Sequence, residues 1–301
     1  MTTKKPKVSI GLPVYNGEAY VKDAIDSVLS QTFADFELII SDNASIDGTQ
    51  VICNEYAEKD TRVKYYRSKE NRGAAWNYNR TFELSSGEYF RWLAADDMLA
   101  PGLLARSVQI LETHQEVVLC FSWTKDIDAA GNELVTKKST VRSNNSQPSI
   151  RFWNLSQARP THNCEEVFGL IRSDILAETK LIDYYTDSDR TLLAHLALYG
   201  PFYEIPEPLF WHRIHETSSV VVNPDRHERM LWFDPSLAGR LYFPNWRQLK
   251  ELFLVIGKDS SLPIRERILC YLYVLRWAKR RYRFLTNDMI WAVRQLGSIA
   301  R

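Results

Sequence analysis

The chain has 301 residues and a mass of 35.0 kDa, and its 45% hydrophobic and 25% charged residues are typical of a globular protein. This composition excludes collagen, coiled coils and wholesale disorder. The net charge is +1, but residues 225–301 hold 15 Lys or Arg and 7 Asp or Glu, so this tail carries +8 and the rest −7. We expect the tail either to contact an anionic surface or partner or to present a solvated basic face.

The amino terminus has no pattern of a secretion signal. Residues 1–7 are polar and charged and lead directly into a strand-like segment, so no apolar stretch or cleavage site is present. Apolar runs fall well short of the roughly 18 residues needed to span a bilayer. The four cysteines lack a C-x-x-C pair, which indicates reduced thiols. We therefore expect a cytoplasmic protein, either free or peripheral at the inner face of the membrane.

Strand and helix patterns alternate over the first hundred residues. The strands are predicted at 8–14, 36–42, 63–67 and 88–93. The helices are predicted at 21–29, from the turn at 43–49 to about 59, and at 73–84. Such alternation predicts right-handed crossovers and an α/β, Rossmann-like fold with a mostly parallel central sheet flanked by helices. Ligands of these sheets bind at the carboxyl ends of the strands.

The pattern is looser beyond residue 97. The pattern predicts a helix from about residue 101, a hairpin near 129–132, and a polar stretch over 137–148 that resembles a mobile loop. It then predicts a helix over 189–198 and strands at 202–205 and 209–213. Beyond residue 223 the pattern is mostly helical. We therefore divide the chain into a first domain, 1–223, and a basic helical region, 224–301.

Acidic residues follow two of the predicted strands. Asp42 ends the second strand, Asp47 lies in the next turn, and Asp96 and Asp97 follow the fourth strand. Adjacent carboxylates repel when desolvated, and a bound cation relieves the repulsion. Oxygen ligands of this kind suit Mg²⁺ or Mn²⁺ coupled to a substrate phosphate. The alternative is that Asp97 only caps the helix starting near residue 101.

Two glycine-rich phosphate motifs are absent from the sequence. The first strand is followed by no G-x-G-x-x-G motif, and no G-x-x-x-x-G-K-[ST] occurs. A dinucleotide oxidoreductase and a P-loop NTPase are therefore disfavoured. A metal ion is the favoured partner for a bound diphosphate.

Several motifs, in this order, resemble the inverting glycosyltransferases of family 2, which have the GT-A fold. They are VSIGLPVYNG at 8–17, QTF at 31–33, DNASIDGT at 42–49, NRG at 71–73, GEY at 87–89 and ADD at 95–97. The resemblance covers residues 7–219. It implies a GT-A domain with a helical C-terminal extension that moves a sugar from a nucleoside diphosphate, UDP by default, to an acceptor hydroxyl. A role in surface polysaccharide or glycoconjugate synthesis is also implied.

The resemblance implies a role for each matching position in nucleotide binding. Pro13 and Tyr15 correspond to the strand end that holds the base and ribose. Asp42 corresponds to the carboxylate that accepts a hydrogen bond from the base, and Arg72 to a base or phosphate contact. Asp96 corresponds to a ligand of the ribose or of the metal.

The implied metal ligands are Asp97, Asp96 and His215, with Mg²⁺ or Mn²⁺ as the cofactor. Asp97 would hold the ion beneath the diphosphate, and His215 with Arg213 would complete its surroundings; a surface-loop histidine is the alternative. The sequence departs from the acidic form of the motif at Ala94, which removes one ligand. This departure motivates a second hypothesis, in which the chain is an inactive relative that only binds nucleotide or carbohydrate.

Asp189 is the candidate general base, since Ser188-Asp189 resembles the family's Glu-Asp pair. Apolar spacing after it predicts a helix that begins nearby, so capping is the structural alternative. Asp187 is a rival for the base. A metal-assisted single displacement needs no covalent enzyme intermediate, and general base catalysis contributes typically 10² to 10⁴-fold.

The partners expected are a nucleotide-sugar donor, with UDP as the default, and a carbohydrate or lipid-linked acceptor. His162 is a candidate for the acceptor cleft. The acidic body lacks the basic aromatic strands of single-strand binders, so nucleic acid is not expected. The segment 268–283, apolar and then basic, predicts a helix that docks on the domain, contacts a membrane peripherally or forms a homodimer.

Overall fold

The computed structural model describes residues 5–157, 163–222, 225–258 and 262–299. Within these ranges the strands are β1 (Val8–Val14), β2 (Phe36–Asp42), β3 (Val63–Arg67), β4 (Tyr89–Trp92), β5 (Met98–Leu99), β6 (Leu119–Ile127), β7 (Glu133–Lys137), β8 (Leu170–Arg172) and β9 (Phe202–Arg213). The helices are α1 (Val21–Leu29), α2 (Thr49–Lys59), α3 (Ala74–Glu83), α4 (Leu103–Thr113), α5 (Pro148–Ser156), α6 (Ser173–Ala177), α7 (Ser188–Tyr199), α8 (Ser219–Val222), α9 (Arg226–Phe233), α10 (Pro244–Lys258), α11 (Ile264–Arg280) and α12 (Tyr282–Ile299).

The strands form one sheet in the order β3-β2-β1-β4-β8-β6-β9-β5, with β7 paired to the outer part of β6. The four strands from β3 to β4 are parallel, and beyond β4 the sheet is mixed. Every residue of β1 and β2 is buried, as expected of strands covered by helices on both faces. The predicted α/β architecture of the GT-A type is confirmed.

Helix α1 shows why the first half of the chain was predictable. Its buried residues Val21, Ala24, Ile25 and Val28 recur at the spacing of one helix face and pack on the sheet. The predicted strand and helix ranges of the first hundred residues agree with the observed ones to within two residues.

The second half differs from the sequence pattern in several features. Helices α5 and α6 were not predicted. Strand β9 is continuous, whereas two strands were predicted. Pro206 and Pro208 do not end the strand; they only disturb its pairing with β6, where the register shifts on either side of Trp123. Strand β8 was not predicted. It has three residues, too few to carry a pattern, yet it joins β4 to β6 with antiparallel pairing on both sides.

The C-terminal helices share a core with the first domain. Trp277 of α11 is fully buried, and its Nε1 donates a hydrogen bond of 3.1 Å to the carbonyl of Ser156 at the end of α5. Lys180 Nζ lies 2.5 Å from a carboxylate oxygen of the buried Glu251 on α10. The predicted boundary between 223 and 224 lies outside the described residues. No helix in the described ranges is long and apolar enough to cross a membrane.

Candidate active site

Asp42 lies at the carboxyl end of β2 and is completely buried. Its Oδ1 accepts the backbone N–H of Ser45 at 2.8 Å, and its Oδ2 accepts the hydroxyl of Tyr65 at 2.6 Å. Arg67 Nε lies 3.4 Å from the same Oδ2. Both carboxylate oxygens are therefore engaged within the protein, so Asp42 holds the loop after β2 in place.

The loop after β1 lies against the loop after β2. Asn16 has a left-handed backbone with φ 52°, and its N–H donates to Ser45 Oγ at 2.9 Å while its Oδ1 accepts the N–H of Ile46. These bonds hold the neighbouring Tyr15 with 46% of its side chain exposed. Pro13, by contrast, is buried within β1. Of this pair, Tyr15 offers a free aromatic face at the sheet edge.

Arg72 lies on the same edge at the start of α3. It is exposed, and its guanidinium stacks on the ring of Trp76 at 4.4 Å. Its backbone N–H donates to Asn43 Oδ1, and Asn43 Nδ2 donates to the carbonyl of Gly73. Gly73 has φ 86°, and an added Cβ would lie 2.4 Å from the carbonyl oxygen of Phe233, so this position requires glycine.

Asp96 and Asp97 lie between β4 and β5, where the chain turns. Asp97 is buried, and its Oδ1 accepts the backbone N–H of Arg213 at 3.0 Å. Burial, followed by the charge of Asp96, raises the pKa of the Asp97 carboxyl well above its ordinary value. A buried carboxylate in this position would gain from a nearby cation.

Arg213 and His215 follow β9 and enclose the same turn. His215 Nε2 lies 2.9 Å from Asp96 Oδ2, and its ring packs on Tyr20 with centroids 4.8 Å apart. The guanidinium carbon of the buried Arg213 lies 4.7 Å from the centroid of the Tyr20 ring, and its Nε donates to the carbonyl of Asp96. The resemblance placed four residues around one metal ion, and the structure brings them together: Asp96, Asp97, Arg213 and His215.

Asp187 and Asp189 lie at the amino terminus of α7. Asp187 is the residue preceding the helix and has a left-handed backbone with φ 70°, although it makes no side-chain capping bond. Asp189 lies in the first helical turn, half-buried, where the helix dipole favours a negative charge. Asp187 therefore occupies the position before the helix, and Asp189 is the second residue of the helix.

Tyr78 on α3 is affected by carboxylates from two parts of the chain. Desolvation raises the pKa of its phenol, and the charges of Asp96, Asp97 and Asp189 raise it further. These carboxylates come from two distant parts of the sequence, so the fold brings both parts into the neighbourhood of Tyr78. Because α3 also donates from Asn77 Nδ2 to the carbonyl of Val14, it links this centre to the end of β1.

A cavity of about 450 Å³, the β6–β7 cavity, adjoins this centre. Thr124, Lys137, Ser139, Asn163 and Glu165 are among its lining residues. The ligand atoms of Glu165 and His212 lie within 4.8 Å of each other, and the N–H of Arg213, the next residue, binds Asp97, so the cavity lies near Asp97.

A group of possible metal ligands borders this cavity. Among the described residues, Asp126, Glu165 and His212 hold their ligand atoms within 4.8 Å of one another, whereas the predicted ligands Asp96, Asp97 and His215 form no such group. Lys137 Nζ lies 2.5 Å from Asp126 Oδ2 and 3.8 Å from Glu165 Oε1, so an ammonium group already supplies positive charge there.

Tyr78 and Glu165 were not identified from the sequence. Tyr78 lies on a helix, and Glu165 lies in a short helical turn with no motif, so neither carries a local signal. Of the histidines considered, His162 lies outside the described residues. The four cysteines are buried and free, as predicted.

The family profile of glycosyl transferase family 2 matches residues 9–179, and the chain therefore belongs to this family. The uncharacterized glycosyltransferase RT0329 of Rickettsia typhi is 29% identical over 236 residues, which cover 76% of this chain and 71% of that protein. The putative teichuronic acid biosynthesis glycosyltransferase TuaG of Bacillus subtilis is 36% identical over 124 residues, covering 41% of this chain and 48% of its own.

Two solved structures show the same fold at low sequence identity. Staphylococcus aureus TarS 1-349, in complex with UDP-GlcNAc, has a TM-score of 0.56 at 16% identity and covers 92% of this chain and 91% of its own. The mannosyltransferase PcManGT of Pyrobaculum calidifontis, in complex with GDP-Man and Mn²⁺, has a TM-score of 0.54 at 16% identity. The match covers 99% of this chain and 76% of that one.

Proposed function

We propose that this chain is an inverting glycosyltransferase that moves a sugar from a nucleoside diphosphate, UDP by expectation, to an acceptor hydroxyl. The observation that carries the proposal is the cluster at the turn after β4, where His215 Nε2 lies 2.9 Å from Asp96 Oδ2 and the buried Asp97 accepts the N–H of Arg213. A single displacement needs an acidic centre for the diphosphate and a separate carboxylate for the acceptor proton. In this proposal Asp96 and Asp97 supply the first, and Asp189 supplies the second.

Asp189 acts as the general base in this proposal. The acceptor oxygen attacks the anomeric carbon from the face opposite the diphosphate. As the new C–O bond forms, the bond from the anomeric carbon to the phosphate oxygen breaks, and its electron pair leaves with the diphosphate. The hydroxyl proton moves to the carboxylate of Asp189. The amino-terminal position on α7 keeps that carboxylate available as the anion.

Asp97, Asp96 and His215 are the proposed ligands of Mg²⁺ or Mn²⁺. Carboxylate and imidazole donors suit Mn²⁺, and the buried charge of Asp97 next to Asp96 fits a site that a cation completes. The ion, when bound, would offset the charge that develops on the departing diphosphate. His215 would have to exchange its contact with Asp96 for the ion, since the two side chains are 2.9 Å apart.

Nucleotide and acceptor occupy neighbouring regions in this proposal. Tyr15 and Arg72 would contact the base, ribose or phosphate from the exposed edge, while Asp42, with Pro13, keeps the strand ends in position. The β6–β7 cavity, of about 450 Å³, is the proposed acceptor site, because its lining residue Glu165 belongs to the group beside Arg213 and the acidic turn. Similarity to TuaG supports a role in cell-surface polysaccharide synthesis.

The full-length protein should be incubated with UDP- and GDP-sugars, Mg²⁺ or Mn²⁺, and a panel of carbohydrate acceptors. Release of nucleoside diphosphate that requires an acceptor, together with an anomeric configuration opposite to that of the donor, is the expected result. Thermal stabilisation by nucleotide without turnover would instead favour the inactive binding relative suggested by Ala94. Transfer with retained configuration would contradict the displacement.

A further inference from the structure

Helix α11 buries one face and exposes another that is equally apolar. Cys270, Val274 and Trp277 face the core. On the opposite side, Ile264, Ile268, Leu272 and Leu275 are 52–70% exposed. At 100° per residue these four side chains fall within an arc of roughly 80°. They form a continuous ridge along the helix rather than scattered surface residues.

Helix α12 repeats this arrangement directly after α11. Tyr282, Met289, Ile290, Val293 and Leu296 are 44–68% exposed and fall within an arc of roughly 120° on one side. The buried residues Leu285, Asp288 and Ala292 lie together on the adjoining side of the helix. Only Arg281 separates the two helices, so one apolar ridge follows the other. Exposed apolar patches of this extent mark interaction surfaces. We call the two ridges together the C-terminal apolar face.

The exposed charges on these two helices are all positive. They are Arg265, Arg276, Lys279, Arg280, Arg283 and Arg294. The two acidic residues of the helices are turned inward: Asp288 accepts hydrogen bonds from Asn245, and Glu266 accepts the backbone N–H of Ser149. The described side chains of α11 and α12 therefore offer no exposed anion to balance the six cations.

We propose that the C-terminal apolar face lies on an anionic lipid surface, with its apolar side chains among the acyl chains and its arginines at the headgroup phosphates. Burial of the apolar ridges and attraction of the cations to acidic lipid favour the same orientation. A second copy of this chain is a poorer occupant. A two-fold interface would bring the same six cations of each copy together without a compensating acid.

The test uses the full-length protein without donor sugar, so its result is independent of the proposed transferase activity. Co-sedimentation would be measured with vesicles of phosphatidylcholine containing phosphatidylglycerol and with vesicles of phosphatidylcholine alone. We expect binding to the anionic vesicles, weakened by added NaCl. The double substitution Ile268→Gln and Leu272→Gln, which changes no charge, should weaken it by about tenfold or more. Val51→Gln on α2, a position 62% exposed, is the matched control and should leave binding unchanged.

A second variant tests the charge contribution separately. Replacing Arg283 and Arg294 by glutamine should lower binding to anionic vesicles and reduce its dependence on salt. Circular dichroism and thermal melts would establish that each variant is folded. Equal binding to neutral and anionic vesicles, or none to either, would overturn the proposal. So would a dimer, seen by light scattering, that the Ile268 and Leu272 substitutions dissociate; that result would assign the face to a second copy.

Discussion

The guanidinium of Arg281, between the last two helices, lies 4.0 Å from the carboxylate of Asp187, the residue before α7. Both side chains are largely buried, with 11% and 24% exposed. Gln248 of α10 also donates to the carbonyl of Asp187, at 3.4 Å. The C-terminal helices therefore help to hold a left-handed residue that lies two positions before the proposed base, Asp189.

Removing Arg281 is expected to disturb this position. Arg281→Gln should destabilise the protein by about 1–3 kcal/mol, because it leaves a partly buried carboxylate without this ion pair. It should also lower kcat more than it changes the affinity for nucleotide. A double-mutant cycle with Asp187→Asn, followed by urea denaturation, measures the coupling between the two side chains. Additive effects of the two substitutions would show that the pair is not coupled.

Asp189→Asn tests the proposed base. Transfer should fall by about 10² to 10⁴-fold, because the amide cannot accept the acceptor's proton. The affinity for UDP and Mn²⁺, measured by calorimetry, should remain within a few-fold of the original. Asp187→Asn is the control for the rival assignment and should retain more activity. If Asp187→Asn is the more damaging change, the roles of the two residues must be exchanged.

Asp97→Asn separates metal binding from stability. The amide keeps an oxygen for the N–H of Arg213 but removes a buried charge next to Asp96, so Tm without ligands should rise by roughly 2 °C or more. Stabilisation by UDP with Mn²⁺ should be lost. Differential scanning fluorimetry measures both effects. Glu58→Gln, at an exposed position on α2, should change neither. Retained Mn²⁺-dependent stabilisation would remove Asp97 from the metal site.

The lowered pKa of Glu37, a residue of β2 outside the candidate site, predicts that the stability of the protein depends on pH. Burial raises its pKa, but hydrogen bonds from Lys64, Ser9 and Ser86 outweigh burial, so the pKa is lowered from its ordinary 4.5. The stability that Glu37 contributes is therefore complete above pH 4.5 and is lost as the pH falls through the lowered value.

Thermal melts across the acidic range check this expectation. Glu37→Gln should cost about 1–3 kcal/mol near neutral pH, since it leaves buried donors facing an amide. The difference in Tm from the original protein should then narrow as the pH falls below 4.5. A difference that stays constant with pH would mean that the carboxylate's charge is not what stabilises β2.

Substitution of Trp277 tests whether the C-terminal helices fold as one unit with the first domain. Trp277→Ala should destabilise the protein by about 3–5 kcal/mol, because the indole is fully buried and bonded to Ser156. Leu275→Ala, at a 56% exposed position on the same helix, should cost less than about 1 kcal/mol. Both values come from urea denaturation. Similar values for the two variants would support an independent C-terminal domain.

The sequence predicted the first hundred residues well because the signals there are local. A fully apolar strand such as Val8–Val14 and a one-faced helix such as Val21–Leu29 each carry their own periodicity. The three-residue strand Leu170–Arg172 carries none, because its place in the sheet is set by pairing with β4 and β6. Pro206 and Pro208 suggested a break in a strand that pairing with β6 keeps continuous.

By itself, the sequence determined the α/β fold and the acidic and basic residues from which a site could be built, because strand periodicity and motif spacing are properties of short segments. Tertiary structure decided which of these residues meet. It brought His215 to Asp96 across 119 positions and placed Tyr78 within the fields of three carboxylates. It also turned Ile264, Ile268, Leu272 and Leu275 outward, because a helix with apolar residues around most of its circumference can bury only the side that finds a partner.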